Sequence, residues 1–516
     1  MKKFKINNKN YLIIPALLIG VITTIGCKKY LDAKLQGQPT IGSDPNLAPK
    51  LVTGVYNDLL TGDTWGYGND VHGFSFIAAT NIISDDADKG SFPADQPGIG
   101  DFDNFTINSS NIFVNALWNG YYVAIHDANY AIQSLNSSNL DANTKNEYLG
   151  EVRFLRGYFY FNLVRMFGAV PKITRIPKDA NDATSDPTFN TRVSPQTIYD
   201  SVIIPDLEFA AANTPLKSAA SVGHVTKGAA QTLLAKVYMY LKSWTNVLNL
   251  TDSVMNSSQY QLMADYSIIW RPEGNNCAES IFEIESGVFN NTDLGIQLYS
   301  ECQGPRSGGA GGWTDLGWGF CTPTTTLINS YEPGDLRKNA TVIFIDNSGN
   351  HVGTYLWDGF RVPSSDSVQN LYYNYKAYNS EIDTANPLYH DSRDFKEKNV
   401  HLIRYAEVIL MNAEAANELG QAGTAINDLN VIRTRAGLPN TTASSQPDLR
   451  TAIWNERHVE LALEHDRFWD LVRQGRAAQV MQASGKAFVQ GKNELLPIPS
   501  VQIALSNGRL TQNNGY

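Results

Sequence analysis

Apolar residues recur with helical spacing through the C-terminal part of the chain. Over residues 401–420 they follow one another at alternating steps of four and three, which places them on one face of a helix. The residues that carry this pattern are Leu402, Ala406, Ile409, Ala413 and Ala416. A shorter helix is predicted over 424–436, with a stop at Gly437, and a third helix over 448–474. The first two helices, with their alanine contacts, resemble a tetratricopeptide unit.

Similar spacing occurs in the first half of the chain. It predicts a helix over 47–60, two long helices after residue 112, and further helices over 195–212 and 226–244. Two stretches without periodicity, 61–111 and 286–398, interrupt the pattern. No alternation of strands and helices is visible in the sequence. The predicted fold class is therefore mainly α, with tetratricopeptide-like helix pairs and a large irregular, loop-rich region.

The length of 516 residues exceeds what one hydrophobic core supports, since single cores stop growing near about 250–300 residues. Two lobes, or one repeat array with large insertions, are expected. The net charge of −10 argues against a nucleic-acid partner, because phosphate binding needs clustered Lys and Arg. The four cysteines form no C-x-x-C pair, which excludes a zinc ribbon and a thioredoxin-like site. Whether Cys302 and Cys321 form a disulfide stays open.

The N-terminus has the pattern of an export signal. Four lysines precede an apolar run over 11–25, which is shorter than the roughly 20 residues of a membrane-spanning helix. Residues 1–26 are therefore predicted to be a cleaved signal peptide. Gly26 and Cys27 resemble a lipoprotein processing site, after which acyl chains on Cys27 hold the protein at a membrane surface. An ordinary signal peptide followed by an incidental cysteine is the alternative.

Two groups of polar residues invite a metal or catalytic interpretation. His458, Glu460 and His465 lie on the predicted third helix, but the two histidines are not four residues apart, as a zinc-binding helix requires. Charged residues three apart on that helix favour a network of ion pairs instead. The acidic run over 85–88 does not have the spacing of an EF-hand, so a surface turn is predicted there. No metal site and no cofactor are expected.

Signals for enzyme chemistry are weak. The glycine-rich run over 308–320 lacks the Gly-Lys-Ser/Thr ending of a phosphate loop, and the nearest approach to G-x-S-x-G, over 73–77, lacks its closing glycine. Carboxylate pairs cannot be placed in space from sequence, so residue types alone do not exclude a glycosidase. The chain is predicted not to be an enzyme, and no catalytic residue is assigned.

Aromatic residues in the irregular stretches form the candidate ligand site. Glycines beside Trp313 and Trp318 leave the ring faces open, and such faces stack on the apolar side of a pyranose ring. Because insertions into helical repeats commonly share one face, stretches 61–111 and 301–321 are expected to form one shallow cleft. Tryptophans that pack beneath their own loops are the alternative. The predicted glycan contacts are Trp65, Tyr67, Asn81, Trp313, Asp315, Trp318 and Phe320.

Several segments resemble the SusD/RagB family of surface lipoproteins and occur in the family's order. They are the start of the mature chain at 27–32 and the segments 153–164, 225–238, 323–337, 404–415, 426–438 and 456–473. Gly157 departs from the family pattern, which usually has Ala there. The resemblance divides the chain into a signal peptide (1–26), a lipidated tether (27–45), an N-terminal helical region (46–285) with an insertion at 61–111, an irregular ligand-binding region (286–398) and a C-terminal helical region (399–516).

The resemblance also implies a function. Members of the family are outer-membrane lipoproteins at the cell surface that bind oligosaccharide or polysaccharide and deliver it to a TonB-dependent, SusC-like transporter. The expected partners are therefore this transporter, a glycan, and the membrane through the lipid on Cys27. A peptide-binding member of the same family is one alternative, and a surface-anchored glycoside hydrolase is another. Nothing in the family pattern supplies a nucleophile.

Overall fold

Helices make up most of the chain that the computed structural model describes, so the mainly α prediction is confirmed. The structure describes residues 46–62, 68–218, 221–286, 296–306, 317–345, 355–359, 362, 365, 368–379 and 398–516. Ala48–Tyr516 form one compact unit. Within the described ranges, no helix is both long and apolar enough to cross a membrane.

The helices vary from single turns to seven turns, whereas the described strands are short. The α-helices are α1 (Leu47–Asn57), α2 (Phe74–Ile77), α3 (Pro97–Asn104), α4 (Ile112–Asn136), α5 (Ala142–Phe167), α6 (Ala180–Ser185), α7 (Pro195–Ile198), α8 (Ile204–Asn213), α9 (Lys227–Tyr240), α10 (Trp244–Asn256), α11 (Ile296–Gln303), α12 (Thr325–Ser330), α13 (Lys338–Thr341), α14 (Tyr405–Glu418), α15 (Ala422–Arg435), α16 (Gln446–Glu460), α17 (Arg467–Arg473), α18 (Ala477–Ala483) and α19 (Ser500–Leu505). The strands are β1 (Ala87–Asp88), β2 (Val170–Pro171), β3 (Arg192–Val193), β4 (Ser280–Ile284), β5 (Thr322–Pro323), β6 (Val342–Phe344), β7 (Tyr372–Asn374) and β8 (Val400–Arg404). They pair antiparallel as β1–β5, β2–β3, β4–β8 and β6–β7.

The longer helices pack in chain order as one array. Helix α4 contacts α5, α5 contacts α8, α8 contacts α9, and α9 contacts α10. The array then continues from α10 to α14, although most of the irregular region lies between them in sequence. Helix α14 also packs on α15 and α16. This arrangement of neighbouring helix pairs agrees with the predicted tetratricopeptide-like architecture.

The alanine stripe predicted on α14 lies in the core. Ala413 and Ala416 are fully buried and pack with Ala425 and Leu429 of α15 and with Ile453 of α16. Small side chains at this seam let three helices approach one another closely, which a larger residue would prevent. The four-and-three spacing in the sequence therefore identifies the buried face correctly.

The irregular region begins after strand β4 and ends before strand β8, and these two strands pair with each other. Strand β4 ends at Ile284, opposite Val400 at the start of β8, and β8 leads directly into α14.

Of the cysteines in the described chain, Cys277, Cys302 and Cys321 are all free thiols, and the last two are buried. The disulfide that the sequence left open is therefore not formed.

The stretch 61–111 is more ordered than its sequence predicts. Its described part contains α2, a π-helical segment over Ala78–Ile82 and α3, and residues 70–87 are buried. The side chain of Asp70 starts this structure, because its two carboxylate oxygens accept hydrogen bonds from the backbone N–H groups of Gly73 and Ser75 at 2.8 Å each. Such local capping by one Asp is easily missed in a sequence rich in turn-forming residues.

The predicted third C-terminal helix, 448–474, is wrong in its length. Helix α16 ends at Glu460 and α17 begins at Arg467, with a turn between them in which Leu463 and His465 have positive φ angles of 63° and 74°. The amide side chain of Asn81 bonds the backbone of this turn, at Leu463 O and His465 N, both at 3.1 Å. Tertiary contacts of this kind override the helical propensity of the segment.

Buried ion pairs hold the C-terminal helices to the irregular region. Glu460 is fully buried and accepts hydrogen bonds from Arg337, Arg404 and Arg435. Burial alone would raise the pKa of Glu460, but the three guanidinium groups hold it well below its usual range. Of the predicted pairs three residues apart, Asp470 and Arg473 form one, whereas Arg457 pairs with Glu407 and Arg467 with Asp85. The ion pairs are therefore buried and link separate parts of the chain instead of following one helix face.

Candidate functional site

Two irregular stretches that are far apart in sequence are joined by a short ladder. Strand β1 pairs with β5, with Asp88 opposite Thr322. The ladder continues on one side, where the N–H of Cys321 donates to Lys89 O at 3.1 Å, and on the other, where the N–H of Thr324 donates to Asp86 O at 2.9 Å. The described parts of stretches 61–111 and 301–321 are thus neighbours in space, as expected from the sequence.

A very close backbone approach accompanies this ladder. Gly90 has a φ of +85°, and a Cβ atom at this position would lie 2.6 Å from the carbonyl oxygen of Gly319. Both the angle and the distance require glycine here. The chain just before β5 is also bonded to helix α11. The backbone N–H of Trp318 donates to Glu301 O at 2.9 Å, and the backbone N–H of Phe320 donates to Cys302 O at 2.9 Å. Backbone hydrogen bonds therefore fix the chain on both sides of the segment 307–316.

Phe74 is the centre of an aromatic cluster beneath this backbone. Its ring meets Phe320 edge-on at 4.6 Å between centroids, Phe113 at 5.9 Å and Trp318 at 6.2 Å. Phe320 is 3% exposed, whereas Trp318 is only partly buried. The cluster thus extends from the core, at Phe320, to the surface, at Trp318.

The structure describes three of the seven predicted contacts, Asn81, Trp318 and Phe320. Trp65, Tyr67, Trp313 and Asp315 lie outside the described residues, and their roles stay predictions. Trp318 is only partly buried.

Asn81 and Phe320 were predicted to touch the ligand, and the structure corrects both positions. Asn81 is 1% exposed and its amide group is bonded to the backbone of the turn before α17, so it has a structural role. Phe320 packs on Phe74 in the core, where no ligand reaches it. Both residues lie in stretches without periodicity, where the sequence carries no local signature of burial.

The surface next to Trp318 contains residues that sequence reasoning missed. Phe92 is half exposed, and the guanidinium of Arg306 lies 5.1 Å from the centroid of its ring. Arg306 also forms an ion pair with Asp95. Phe92 had a sequence signal, since it is an aromatic residue within the stretch 61–111, whereas Arg306 had none beyond its place before the glycine-rich run.

Two amide side chains complete this surface. The backbone N–H of Gln369 donates to Arg306 O at 3.3 Å, and the side-chain nitrogen of Asn370 donates to Gly90 O at 2.9 Å. Within the described chain, the side-chain oxygen of Gln369 is buried and has no hydrogen-bond partner. Phe92, Arg306, Trp318, Gln369 and Asn370 are referred to below as the rim. Flat rings, a guanidinium group and amides can stack on and hydrogen-bond a polyhydroxylated ligand.

A buried histidine that packs on Phe76 is unsuited to acid–base chemistry at the surface. His465 is buried, and its ring nitrogens lie 2.7 Å from the Thr80 hydroxyl and 3.0 Å from the Tyr299 hydroxyl. Burial lowers the pKa of His465 to about 3. The ring is therefore neutral at physiological pH and is enclosed by the fold.

The acidic run 85–88 is not the surface turn that its sequence predicts. Asp88 is exposed, but Asp85 and Asp86 are each 1% exposed. Arg467 donates to both carboxylate oxygens of Asp85 at 2.8 Å, and His458 Nε2 lies 2.6 Å from Asp86. Burial alone would raise the pKa of Asp85, but the hydrogen bonds and the charge of Arg467 outweigh it and lower that pKa to about 2.

Asp85, Asp86 and His458 bring their ligand atoms within 4.8 Å of one another, a separation that suits a metal ion. Arg467 already donates to both oxygens of Asp85, however, and its positive charge beside that carboxylate disfavours a cation. The group is therefore best described as an ion-pair cluster that fastens α17 to the chain before β1.

Comparisons with known proteins agree with one another. A family model described as "SusD family" matches residues 278–516, and one described as "Starch-binding associating with outer membrane" matches residues 80–239. Among curated relatives, the chain is 25% identical to SusD-like protein P2 of Formosa agariphila over the full length of both chains. It is 29% identical to SusD-like protein P38 of the same organism over 73% of this chain and 75% of the relative.

Solved structures of similar fold were also found. A laminarin-binding SusD-like protein superposes with a TM-score of 0.74 at 29% identity, covering 91% of this chain and 99% of that one. Surface glycan-binding protein A from Bacteroides thetaiotaomicron, in complex with laminarihexaose, superposes with a TM-score of 0.75 at 24% identity, covering 91% and 99%. At that identity the second likeness supports the fold alone.

Proposed function

Because the chain belongs to the SusD family, we propose that it is an outer-membrane lipoprotein that binds glycans at the rim and passes them to a TonB-dependent transporter. One observation carries the proposal of the binding site. The β1–β5 ladder brings two distant stretches together and places Trp318, Phe92 and Arg306 at their junction. Rings that are fixed by packing bind sugars with little loss of conformational entropy.

The chemistry of the rim favours a glycan over a charged ligand. The positive charge of Arg306 is compensated by Asp95, so the rim offers no isolated charge to an anion. The ring of Phe92 and the exposed part of Trp318 provide apolar surface, while Gln369 and Asn370 provide amide groups. This combination of stacking faces and neutral hydrogen-bonding groups matches a pyranose ring with its hydroxyls.

The predicted contacts outside the described residues belong to the same proposal. Trp65 and Tyr67 lie in the segment 63–67, and the Cα atom of Gly62, at its edge, lies 2.6 Å from where a Cβ atom on Gly73 would be. Trp313 and Asp315 lie in the segment 307–316, which ends next to Trp318. The flanks of both segments therefore meet near Phe74, and this supports one shared site.

The first ligand to test is laminarin, because the similar protein of 29% identity is described as laminarin-binding. A protein that comprises residues 28–516 is analysed by affinity electrophoresis in gels that contain laminarin, starch or xylan, and then by calorimetry with the glycan that retards it. The double variant Phe92→Ala/Arg306→Ala should lose retardation, whereas Asn246→Ala, at an exposed site on α10, should behave like the wild type. Retention on immobilised peptides without retention by any glycan would support the peptide-binding alternative.

Two further properties follow from the proposal. The protein should release no shorter product from the glycan that it binds, and chromatography after prolonged incubation measures this. Product that disappears on substitution of one carboxylate would establish a hydrolase instead. Affinity purification of the lipidated chain in mild detergent should recover a TonB-dependent transporter, and its absence would contradict the partnership.

A further inference from the structure

A second cavity lies away from the rim, between α4, the segment that follows β2, and the C-terminal helix α19. Its volume is about 470 Å³, within the roughly 300–1,000 Å³ typical of small-molecule sites. None of the residues that line it belongs to the rim. Helix α4 separates the two regions, because Phe113 of α4 packs on Phe74 of the aromatic cluster while Trp118 and Tyr122 of α4 line the cavity.

The aromatic wall of this cavity is held rigidly. Trp118 and Tyr122 are one helical turn apart, with ring centroids 5.1 Å apart. Trp118 also meets Phe167 edge-on at 5.1 Å, and the Tyr122 hydroxyl donates to Pro171 O at 3.0 Å. Phe189 adds a further ring to the lining. Rings that are fixed in this way form a surface prepared for stacking, with no rotamer freedom left to lose on binding.

Amide side chains line the cavity, and they keep hydrogen-bonding capacity in reserve. The side-chain nitrogen of Gln502 donates to the side-chain oxygens of Asn115 at 3.1 Å and Asn119 at 2.9 Å. Those bonds leave the Asn119 nitrogen as a donor and the Gln502 oxygen as an acceptor, and Asn69 also lines the cavity. A ligand that both donates and accepts hydrogen bonds would satisfy these groups.

The cavity carries no permanent charge on its lining. Among the described residues that form it there is no Lys, Arg, Asp or Glu, and the Nδ1 atom of its histidine, His126, is directed at Asp127, 3.0 Å away. A phosphate, a uronic acid or a cation would find no counter-charge here. Neutral ligands are therefore favoured.

From these observations we propose that this cavity binds a neutral mono- or disaccharide, as a second saccharide site independent of the rim. The inference relies on the proposed function for the class of cargo that the protein encounters. The exposed side chains of Val123 and Leu505 at the cavity also suit an apolar group of a protein partner. Such a group would leave Asn119 and Gln502 with no ligand partner, whereas sugar hydroxyls satisfy both.

The test uses residues 28–516 and three neutral probes, laminaribiose, maltose and mannobiose, observed by saturation-transfer NMR. Val123→Trp puts an indole into the cavity from an exposed position of α4. Val431→Trp makes the same change at a similarly exposed position of α15 outside the cavity and is the matched control. The wild type and Val431→Trp should bind at least one probe, and Val123→Trp should bind it at least tenfold more weakly. Asn119→Asp, which keeps the shape but removes a donor and adds a charge, should also weaken binding.

The outcomes separate this proposal from the proposed function. Equal probe binding by Val123→Trp and Val431→Trp, or no probe binding by a wild type that is still retarded by polysaccharide, overturns the second site alone. A wild type that binds neither polysaccharide nor probe overturns the proposed function and this inference together. If Val123→Trp loses the transporter but keeps its probe affinity, the cavity is a protein-docking site and the inference is wrong.

Discussion

Asn81 and His465 are 384 residues apart in sequence, yet the side-chain oxygen of Asn81 accepts a hydrogen bond from the backbone N–H of His465 at 3.1 Å. The Asn81 nitrogen donates to Leu463 O at the same distance. One amide group therefore holds a turn in which two residues have positive φ angles, between α16 and α17. This turn also positions Arg467 to donate a hydrogen bond to Asp85. The hydrogen bonds of Asn81 therefore connect the N-terminal and C-terminal halves of the chain.

Replacing Asn81 with Ala should destabilise the protein by about 2–4 kcal/mol. The substitution leaves two buried backbone groups unpaired, and each costs roughly 1–3 kcal/mol. Urea denaturation followed by circular dichroism measures the change. The control is Asn246→Ala, an exposed position with a local bond to Ser243, where a change within about 0.5 kcal/mol is expected. Similar midpoints for the two variants would show that the turn does not depend on Asn81.

Stability should fall as the pH is lowered from 6.5 towards 3, in part because of His465. Burial lowers the pKa of His465 to about 3, so below pH 6.5 the unfolded chain binds a proton that the folded chain does not. For each pH unit that the pH falls within this range, His465 lowers the free energy of unfolding by up to about 1.4 kcal/mol. His72 acts in the same direction, since burial lowers its pKa to about 3 as well.

The variant His465→Gln should reduce this slope between pH 6.5 and pH 4, whatever its effect on stability at pH 7. Thermal unfolding at several pH values measures the slope. His126→Gln, at an exposed histidine, serves as the control and should leave the slope unchanged. A slope in His465→Gln that equals the wild-type slope would contradict the assignment.

Asp428 on α15 should destabilise the folded protein at alkaline pH. Burial and the nearby charge of Asp252 raise its pKa to about 7, and within the described chain one of its oxygens has no hydrogen-bond partner. A raised pKa favours folding at low pH, and that contribution is lost as the pH rises through 7. Asp428→Asn should therefore stabilise the protein by about 1–3 kcal/mol at pH 8 and by less at pH 5.

Denaturant unfolding at the two pH values checks this expectation. Asp200→Asn, at an exposed position, is the matched control and should change stability little at either pH. An equal gain for Asp428→Asn at both pH values would mean that the benefit does not come from removing a charge.

Phe320 and Phe92 should respond in opposite ways to replacement by Ala. Phe320 is buried against Phe74, so its loss should cost about 3–5 kcal/mol of stability. Phe92 is half exposed, so Phe92→Ala should leave the melting temperature nearly unchanged but weaken glycan binding about three- to tenfold. Trp318→Ala should lower stability by less than Phe320→Ala and weaken glycan binding by more than Phe92→Ala, because Trp318 is partly buried. Calorimetry and thermal unfolding distinguish the effects; normal binding by Phe92→Ala and Trp318→Ala would place the ligand elsewhere.

Cys27→Ala should release the protein from the membrane. We expect an unprocessed or soluble periplasmic form, because the acyl chains on this cysteine are the proposed anchor. Fractionation of cells followed by immunoblotting measures the distribution. A variant that still sediments with the outer membrane would contradict lipidation at Cys27.

Sequence predicted those parts of the fold in which local spacing and burial coincide. The alanine stripe of α14 was recognised because every third or fourth residue faces the same neighbours. The break after Glu460 was not predicted, since it depends on Asn81, a residue from another part of the chain. The burial of Asp85 and Asp86 was missed for the same reason, because their partners Arg467 and His458 lie far away in sequence.

The candidate site shows a similar division. The proximity of the two irregular stretches was expected from the architecture of helical repeats, and β1–β5 pairing brings their described parts together. Individual side chains were less predictable. Phe320 and Trp318 are two residues apart in sequence and both rings contact Phe74, but Phe320 is buried whereas Trp318 is only partly buried.

The backbone hydrogen bonds around the segment 307–316 have a consequence for how new binding preferences arise. Glu301 and Cys302 accept hydrogen bonds from the N–H groups of Trp318 and Phe320, so both edges of the segment are fixed before it begins and after it ends. These backbone bonds do not involve the side chains of residues 307–316. Under the proposed function, a library randomised over this segment alone should therefore change ligand preference while the bonds of Trp318 and Phe320 to the chain before the segment are kept.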